Sequence, residues 1–348
     1  METEAVKKKG MPKLLARALA FLGVTLGCVL LVLLGVIWVL EKGPSPTATE
    51  MFTRSVRETS AIRWVSRIFL SEEELEQYKS VSSPTEEGQT VNTSLIHMAE
   101  SVESGEEGDL GYEILDISEG TCKGKLLIVY NPKRVILGTS DNFGSQPGLQ
   151  LTEMVEKYGA IAGINAGGFN DEGGRGNGST PQGLVIDDGV ATWGAHHIGG
   201  FHVVGLDNDG ILHVGFMTVQ AALNAGIRWG VSFETHDGLA SALIVNGEVQ
   251  RQNLGGGVNP RTAIGQREDG ALLLLVLDGR SISTLGATMK DLADIMLEYG
   301  AVNAGNLDGG SSSVMVYGGE IINNCASVVG PRRIPTAFLL MEEGDVDG

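Results

Sequence analysis

The residues best suited to chemistry lie in Asn306–Gly319, which reads N-L-D-G-G-S-S-S-V-M-V-Y-G-G. Asp308 stands between an asparagine and two glycines, and three serines follow. Glycines let the backbone approach a bound group closely, successive amides in such a turn bind anions, and hydroxyls add hydrogen-bond donors. The one carboxylate among these donors either takes part in a reaction or forms a tight turn with its own backbone.

An earlier stretch has a similar order of residues. Lys157–Gly168 reads K-Y-G-A-I-A-G-I-N-A-G-G, and Glu298–Gly309 reads E-Y-G-A-V-N-A-G-N-L-D-G, so that Asn165 corresponds to Asn306. Two helix–strand–loop units of this kind would bring both asparagines towards one cleft. A chance likeness between two segments rich in glycine and alanine is the alternative.

A helical stretch precedes each copy. Apolar residues at roughly helical spacing predict helices over Leu151–Tyr158 and Met289–Tyr299. Thr152 and Thr288 are their predicted N-terminal caps. A short strand of small residues follows each helix and leads into the loop.

The first 40 residues differ from the rest of the chain. Residues 1–17 carry a basic cluster, and residues 18–40 form an uncharged apolar run of 23 residues. The run is long enough to cross a bilayer, and it lacks the short apolar region and small-residue cleavage pattern of a signal peptide. These features predict a cytoplasmic tail over residues 1–17, a retained transmembrane helix over 18–40, and an extracellular remainder.

The charge of the remainder bears on its partners. Beyond residue 42 the chain carries 19 Lys and Arg against 40 Asp and Glu, a net charge of −21. Such a surface repels nucleic acid, so no nucleic-acid partner is predicted. Cys122 and Cys325 lie in this portion, where an oxidising exterior permits a disulfide; two separate buried thiols are the alternative.

Residues 41–108 have the composition of a stalk or linker. They open with two prolines, close in an acidic stretch, and contain one helical candidate at Ser71–Lys79. The four arginines between residues 54 and 67 are interleaved with apolar residues such as Ile62 and Trp64. This stretch forms either a basic amphipathic helix near the membrane or a helix packed on the folded domain.

From Gly111 onward, short strands alternate with turn residues. The predicted hairpins turn at Asn131-Pro132, Asp187–Gly189, Asp207–Gly210, Asn246-Gly247, Asp269-Gly270 and Gly318-Gly319. Six hairpins and two or three helices do not form a βαβ repeat. The predicted class is therefore α+β, with a mixed, largely antiparallel sheet and few helices over residues 109–343.

Four segments occur in the order in which one known family has them: Asn165–Asn170 (N-A-G-G-F-N), Asn259–Gly265 (N-P-R-T-A-I-G), Asn306–Ser313 (N-L-D-G-G-S-S-S) and Arg332–Ala337 (R-R-I-P-T-A). Together they resemble the phosphodiester glycosidase family, over about Leu151–Leu340. Ala166 departs from the family, which more often has glycine there. The resemblance implies a hydrolase that cleaves the glycosidic C–O–P bond of a sugar-1-phosphodiester.

Such a substrate requires a cation and donors for its phosphate. Arg261 and Thr262 are the predicted phosphate ligands, because a guanidinium binds phosphate through two parallel bonds; a surface salt bridge is the alternative for Arg261. Arg332 and Arg333 supply a second cationic site or serve only a strand edge. The other predicted substrate-binding residues are Asn165, Gly167, Gly168, Asn306, Gly309, Gly310, Ser311 and Ser312.

The anomeric centre requires a carboxylate, and Asp308 is the predicted catalytic one. Glu234 and Asp237 are candidates for a second carboxylate, with a polar loop as the alternative. A phosphate leaving group needs little protonation, so one carboxylate can suffice. The histidines follow no metal-binding pattern, and neither a metal nor a cofactor is predicted.

The combined interpretation is a membrane-anchored extracellular hydrolase acting on sugar-phosphate diesters, in surface polysaccharide, exopolysaccharide or a related glycoconjugate. The alternatives are a non-catalytic polysaccharide-binding or envelope-assembly module that uses the same pocket, and a structural partner whose glycine loops only turn strands.

Overall fold

The computed structural model describes residues 13–78, 90–98, 111–171, 176–233, 241–250, 254–279, 281, 284–325 and 330–344. The chain divides into two compact units, Met1–Glu50 and Met51–Gly348. Helix α1 (Lys13–Lys42) makes up most of the first. Its most apolar 18-residue window has a mean hydropathy of 2.7 and is not buried within the structure. By length and composition, α1 is therefore a candidate membrane span that contains the predicted one.

The remaining elements are short. The later helices are α2 (Pro46–Glu58), α3 (Glu72–Glu76), α4 (Leu151–Tyr158), α5 (Val219–Asn224) and α6 (Met289–Glu298). The strands are β1 (Tyr112–Glu119), β2 (Cys122–Val129), β3 (Val135–Thr139), β4 (Ala162–Asn165), β5 (Val185–Asp187), β6 (Val190–Trp193), β7 (Gly200–Asp207), β8 (Leu212–Thr218), β9 (Ile227–Ser232), β10 (Ala242–Val245), β11 (Glu248–Val249), β12 (Arg261–Arg267), β13 (Leu272–Leu277), β14 (Ala301–Asn306), β15 (Met315–Tyr317), β16 (Glu320–Ile321) and β17 (Thr336–Leu340).

Three sheets contain these strands. Their orders are β1-β2-β13-β12-β14-β10-β11, β16-β15-β4-β17-β3 and β6-β5-β9-β7-β8. One hydrophobic core lies between them, with Leu127 from the first sheet, Ile164 and Phe338 from the second, and Val204 from the third. The predicted α+β class is confirmed, and the pairings between the named strands are antiparallel.

Strand β13 shows why its sequence is a continuous apolar run. Alternate side chains of a strand point to opposite faces of the sheet. Leu272, Leu274 and Val276 pack in the shared core, whereas Leu273, Leu275 and Leu277 pack in a second cluster with α6. Both faces of the strand are covered, so no polar residue interrupts L-L-L-L-V-L.

Most predicted hairpins form, including β5–β6, β7–β8, β10–β11, β12–β13 and β15–β16. The hairpin predicted at Asn131-Pro132 is wrong, because β2 and β3 belong to different sheets. Pro132–Arg134 forms a 3-10 turn, and the buried Arg134 donates from Nε to the Met341 carbonyl oxygen at 3.0 Å. The chain then enters β3, which pairs with β17 in the second sheet.

One of the two predicted helix caps needs correction. The cap of α4 is Gln150, not Thr152, because its backbone N–H donates to the Glu153 carboxylate at 2.9 Å and starts the helix at Leu151. Thr288 caps α6 as predicted, in a reciprocal capping box with Asp291.

Cys122 is buried and Cys325 partly buried, and they do not form a disulfide.

Residues 51–78, predicted as part of a stalk, lie in the same compact unit as the sheets. The C-terminal half of α2 is followed by a 3-10 helix at Ser60–Arg67 and by α3, which Ser71 caps. Val56, Leu70 and Leu75 are buried. This burial is what the alternative of a segment packed on the folded domain predicts, and the stalk over residues 41–108 stays a prediction.

Candidate active site

The loops after β4 and β14 meet, although these strands belong to different sheets. The Asp308 backbone N–H donates to the Ala166 carbonyl oxygen at 3.0 Å. In return, the Asn165 side-chain Nδ2 donates to the Asp308 carbonyl oxygen at 2.6 Å. The predicted convergence of the two helix–strand–loop units is confirmed.

The side chains of Asn165 and Thr262 hold the backbone of the loop that carries Asp308. Thr262 donates from Oγ1 to Asn165 Oδ1 at 2.8 Å, and the Val314 N–H donates to the same oxygen at 3.2 Å. The Leu307 N–H donates to the Thr262 carbonyl oxygen at 2.8 Å. Asn165 and Thr262 are both fully buried. They fix the backbone on either side of Asp308 and are not exposed to solvent.

The Asp308 carboxyl group is partly buried and lies among charged and polar groups. Burial raises its pKa to about 7, an effect that the charge of Asp171 reinforces. The Ser312 hydroxyl, the charge of Arg332 and the Gly309 N–H act in the opposite direction. A carboxyl group with a pKa near neutrality and identifiable partners is typical of a functional site.

Arg332 is held beside Asp308 by a carboxylate. Its Nη2 and Nη1 donate to the two Asp171 oxygens at 2.8 and 3.0 Å, and Nη1 also reaches Ser311 Oγ at 3.3 Å. The guanidinium carbon lies 5.2 Å from the centre of the Phe169 ring. Sequence reasoning missed Asp171, although it directly follows the N-A-G-G-F-N motif.

Two glycines bring the loop close to the residue before Arg261. A Cβ atom on Gly309 would lie 2.9 Å from the Pro260 carbonyl oxygen. Gly310 has φ +64°, in the left-handed region that favours glycine, and its N–H donates to the same oxygen at 2.9 Å. The turn over Gly309–Ser312 thus has Pro260 on one side and Arg332 on the other.

Gly167 and Gly168 pack against the protein itself. The Gly167 N–H donates to Thr336 Oγ1 at 3.0 Å, and a Cβ atom on Gly168 would lie 2.5 Å from Gln182 Oε1. Both are buried behind the first loop. Close packing is the role that these contacts support.

Arg261 begins β12, as predicted, but its guanidinium is buried against an acidic side chain. Nη2 donates to Glu58 Oε2 at 2.8 Å, and the two side chains are only 4% and 8% exposed. Two further donors hold the Glu58 carboxylate: the Gly257 N–H and Asn259 Nδ2, each at 2.7 Å. A guanidinium, an amide and a backbone N–H thus surround one carboxylate.

Arg333 lies apart from Arg332. It pairs with Glu153 at the start of α4, with Nη1–Oε2 and Nη2–Oε1 distances of 2.9 and 3.1 Å. Its surroundings are those of a structural ion pair. Glu234 and Asp237 lie outside the described residues, so their prediction as a second carboxylate stays a prediction.

The side chain of Asn306 is 1% exposed, and neither its Oδ1 nor its Nδ2 has a hydrogen-bond partner among the described residues. The Asn306 N–H donates to the Ser241 carbonyl oxygen at 2.7 Å, and Ser241 Oγ is similarly buried and unpartnered within that set. The prediction that Asn306 binds substrate stays a prediction.

Within the described ranges, no group of three or more His, Cys, Asp or Glu side chains is arranged to hold a metal ion. The polar groups around Asp308 are a second carboxylate, a guanidinium, hydroxyls and backbone N–H groups.

Fold and site together define an α+β protein in which a loop carboxylate faces hydroxyl and guanidinium groups. The chain belongs to the phosphodiester glycosidase family, whose model matches residues 158–341, more than half of its 348 residues. The resemblance drawn from the sequence motifs is thus confirmed.

Two curated relatives match parts of the chain. The SPbeta prophage-derived uncharacterized protein YomE of Bacillus subtilis (strain 168) is 28% identical over 249 residues, which are 68% of this chain and 37% of that protein. The N-acetylglucosamine-1-phosphodiester alpha-N-acetylglucosaminidase of Bos taurus is 33% identical over 91 residues, which are 24% of this chain and 17% of that protein. The matches therefore span well under half the length of either relative.

Solved structures with a similar fold include an enzyme of known activity. It is the catalytic domain of zebrafish N-acetylglucosamine-1-phosphodiester alpha-N-acetylglucosaminidase, auto-inhibited by pro-peptide. The TM-score is 0.54 at 20% identity, and the match covers 67% of this chain and 82% of that chain. At this level of identity, the likeness supports a shared fold and nothing more.

Proposed function

We propose that the chain is a hydrolase that cleaves the bond between the anomeric carbon of a sugar and a phosphodiester oxygen. The observation that carries this proposal is the Asp308 carboxyl group, whose pKa of about 7 is set by burial and by Ser312 and Arg332 in a chain of this family. A carboxyl group that ionises near neutral pH suits proton transfer at an anomeric centre.

In the proposed reaction, ionised Asp308 accepts a proton from the attacking water. The water oxygen bonds to the anomeric carbon while the bond from that carbon to the phosphate oxygen breaks. The electron pair leaves with the phosphate as a phosphomonoester, which carries the charge itself and requires no general acid. The proton on Asp308 then passes to solvent, which restores the carboxylate.

Arg332 and Asp171 act through Asp308 in this proposal. The positive charge of Arg332 favours the ionised form of Asp308 against the effect of burial. The bidentate pair with Asp171 fixes the guanidinium plane beside the loop. Ser311 and Ser312 lie between Arg332 and Asp308 and offer hydroxyl groups to the substrate.

We assign the phosphate of the substrate to the groups that donate hydrogen bonds to the Glu58 carboxylate in this structure. Arg261, Asn259 and the Gly257 N–H surround the Glu58 carboxylate as they would surround phosphate oxygens. The turn after Asp308 contacts the neighbouring Pro260, so this set lies next to the proposed reactive loop. On this proposal Glu58 occupies the phosphate position and must leave before substrate binds. The pro-peptide that auto-inhibits the zebrafish catalytic domain is a parallel.

The test is hydrolysis of a chromogenic sugar-1-phosphodiester by the wild type and by Asp308→Asn. Asparagine keeps the size and turn-forming habit of aspartate but cannot accept the proton, so kcat should fall by about 10³-fold or more in a variant that folds and is no less stable than the wild type near neutral pH. Asp141→Asn is the matched control, because Asp141 forms an exposed pair with Lys157. A folded Asp308→Asn enzyme with near-normal kcat would contradict the proposal, and an inactive wild type would favour a binding module.

We also propose that α1 anchors the chain in a membrane and that the second unit faces the outside of the cell. Basic residues before α1 and its apolar composition support this orientation. Sugar-phosphate diesters of surface polysaccharide or a related glycoconjugate are then the proposed substrates.

A further inference from the structure

The turn after Asp308 is short and is held in place by contacts from other parts of the chain. Gly310–Ser312 is a 3-10 turn of three residues. The two backbone bonds that close it are 3.2 and 3.3 Å long, at the long end of the range for N–H···O bonds. Ser312 carries the hydroxyl that bonds to the Asp308 carboxylate. The position of this hydroxyl therefore depends on what holds the turn from outside.

The hairpin β15–β16 brings a second segment back to this turn. Gly318 and Gly319 have φ +59° and +81°, which suits a tight two-residue hairpin turn. The pairing ends with a backbone bond from the Ile322 N–H to the Met315 carbonyl oxygen at 3.0 Å. Asn323 is the next residue, so it lies beside the start of β15.

The side chain of Asn323 continues the pairing where the backbone leaves it. Its Oδ1 accepts from the Met315 N–H at 2.8 Å, and its Nδ2 donates to the Ser313 carbonyl oxygen at 3.2 Å. The Val314 N–H, between them, donates to Asn165 Oδ1 at 3.2 Å. One amide thus fixes the backbone on both sides of Val314, directly after Ser312.

A partly buried carboxylate anchors Asn323. Asp278 directly follows β13, and its Oδ1 accepts from the Asn324 N–H at 2.9 Å and from Asn323 Nδ2 at 3.3 Å. Strand β13 pairs with β12, where Leu277 lies opposite Arg261. The anchor of Asn323 is therefore attached to the strand pair that also carries Arg261.

We propose that Asn323, anchored by Asp278, is a positioning residue, which acts through the Ser313 backbone to hold the Ser312 hydroxyl against the Asp308 carboxylate. Its contacts with the turn are to backbone groups, so it acts through Ser312. The effect on turnover rests on the proposed function, whereas the positioning itself can be measured without turnover.

The position of Ser312 affects the ionisation of Asp308. The Ser312 hydroxyl lowers the pKa of Asp308 against the effect of burial. The charge of Arg332 also lowers this pKa, and that of Asp171 raises it. Asn323 carries no charge, so a neutral substitution there leaves both charges in place. A lost or lengthened bond from Ser312 should therefore raise the pKa of Asp308.

The experiment follows the aspartate carboxyl carbons by ¹³C NMR, in the full chain in detergent micelles. The signal of Asp308 is the one that Asp308→Asn lacks, and in the wild type it should titrate near pH 7. Asn323→Ala should raise this midpoint by about half a pH unit or more, since a hydrogen bond to a charged group is worth that much. Asn323→Ser, also neutral and too short to make both contacts, should do the same. The midpoint of the pH profile of kcat/KM should move with it.

Ser312→Ala tests the route of the effect. It removes the hydroxyl, so it should raise the midpoint by itself. Adding Asn323→Ala to it should cause no further rise, because the two residues act as one unit. Asn131→Ala is the matched control: Asn131 also fixes a turn, by accepting from the Lys133 N–H at 3.1 Å, but in the connection between β2 and β3. It should leave the midpoint unchanged.

Two results would overturn the proposal. One is a wild-type midpoint for Asp308 in Asn323→Ala or Asn323→Ser. The other is a further rise in the double variant, which would mean that Asn323 acts on Asp308 by another route. The expected shifts in a chain that does not hydrolyse the sugar-1-phosphodiester would support the positioning role and contradict only the proposed function.

Discussion

The carboxyl group of Asp308 is protonated and ionised in comparable amounts near pH 7, because burial opposes its charge and Arg332 and Ser312 only partly offset that effect. If the ionised form accepts the proton from water, kcat/KM should rise about tenfold per pH unit below pH 7 and level off above it. The pH profile of the chromogenic assay measures this. A rate that falls through pH 7 would assign catalysis to the protonated form.

The same group should make folding stability depend on pH. Its folded pKa lies above the ordinary value of 3.8, so its contribution to stability is greatest below about pH 4 and is lost as the pH rises to about 7. Asparagine at this position does not ionise, so Asp308→Asn does not lose stability in this way as the pH rises. Its melting temperature relative to wild type should therefore increase between these pH values, and a constant difference would contradict the raised pKa.

Glu58 offers a test of the proposed phosphate position that does not require turnover. Glu58→Gln removes the charge facing Arg261 and leaves a buried guanidinium without its counter-ion, so the variant should be less stable by about 3–5 kcal/mol. Inorganic phosphate should then bind in place of the carboxylate and raise the melting temperature of Glu58→Gln, but not that of the wild type. Thermal unfolding with and without phosphate measures the effect.

The control for Glu58 is Glu153→Gln, which breaks the pair with Arg333 away from the site. Phosphate should not stabilise that variant. A Glu58→Gln protein that folds and ignores phosphate would show that Arg261 and Glu58 form only a structural pair.

Helix α6 depends on its N-terminal cap. Thr288 accepts a hydrogen bond from the Asp291 N–H at 3.1 Å, and Asp291 accepts one from the Thr288 N–H at 2.8 Å. Thr288→Ala should therefore cost about 1 kcal/mol, seen in denaturant unfolding. Thr152→Ala is the control, because Thr152 lies inside α4 and caps nothing. An equal loss from both would mean that the cap does not account for the effect.

The elements that the sequence predicted well are those decided by neighbouring residues. The turn at Asn246-Gly247, the apolar run of β13 and the helix Leu151–Tyr158 depend on local spacing and turn chemistry. The prediction at Asn131-Pro132 is wrong because β3 pairs with β17, which lies far along the chain, and not with β2. Local patterns contain no information about that pairing.

The residues of the candidate site likewise divide into those marked by local sequence and those that depend on distant contacts. Asp308 and Asn165, which the structure brings into contact, are marked in the sequence by glycine-rich loops. Asp171 and Glu58 are not marked in the sequence, because their partners, Arg332 and Arg261, lie far along the chain. In a chain with many acidic residues, the sequence does not show which carboxylate is paired, and only the fold shows which arginine it contacts.

The proposed orientation of the whole chain can be tested on intact cells. An external protease should remove everything after about residue 43, because the basic residues before α1 retain the N-terminus inside. Immunoblots against tags at either end measure the products, with lysed cells as the control for susceptibility. A second unit that resists protease in intact cells but not after lysis would contradict the outward orientation.

The pair between Glu58 and Arg261 also sets an order of events during synthesis. The two residues are 203 positions apart, so at about 5–20 residues per second Glu58 leaves the ribosome about 10–40 s before Arg261. Throughout that interval α2 exists without Gly257, Asn259 or Arg261 to hold it. Glu58 thus reaches these native contacts only after residues 257–261 have been made, and a chain arrested before residue 257 would carry α2 without the donors that hold Glu58.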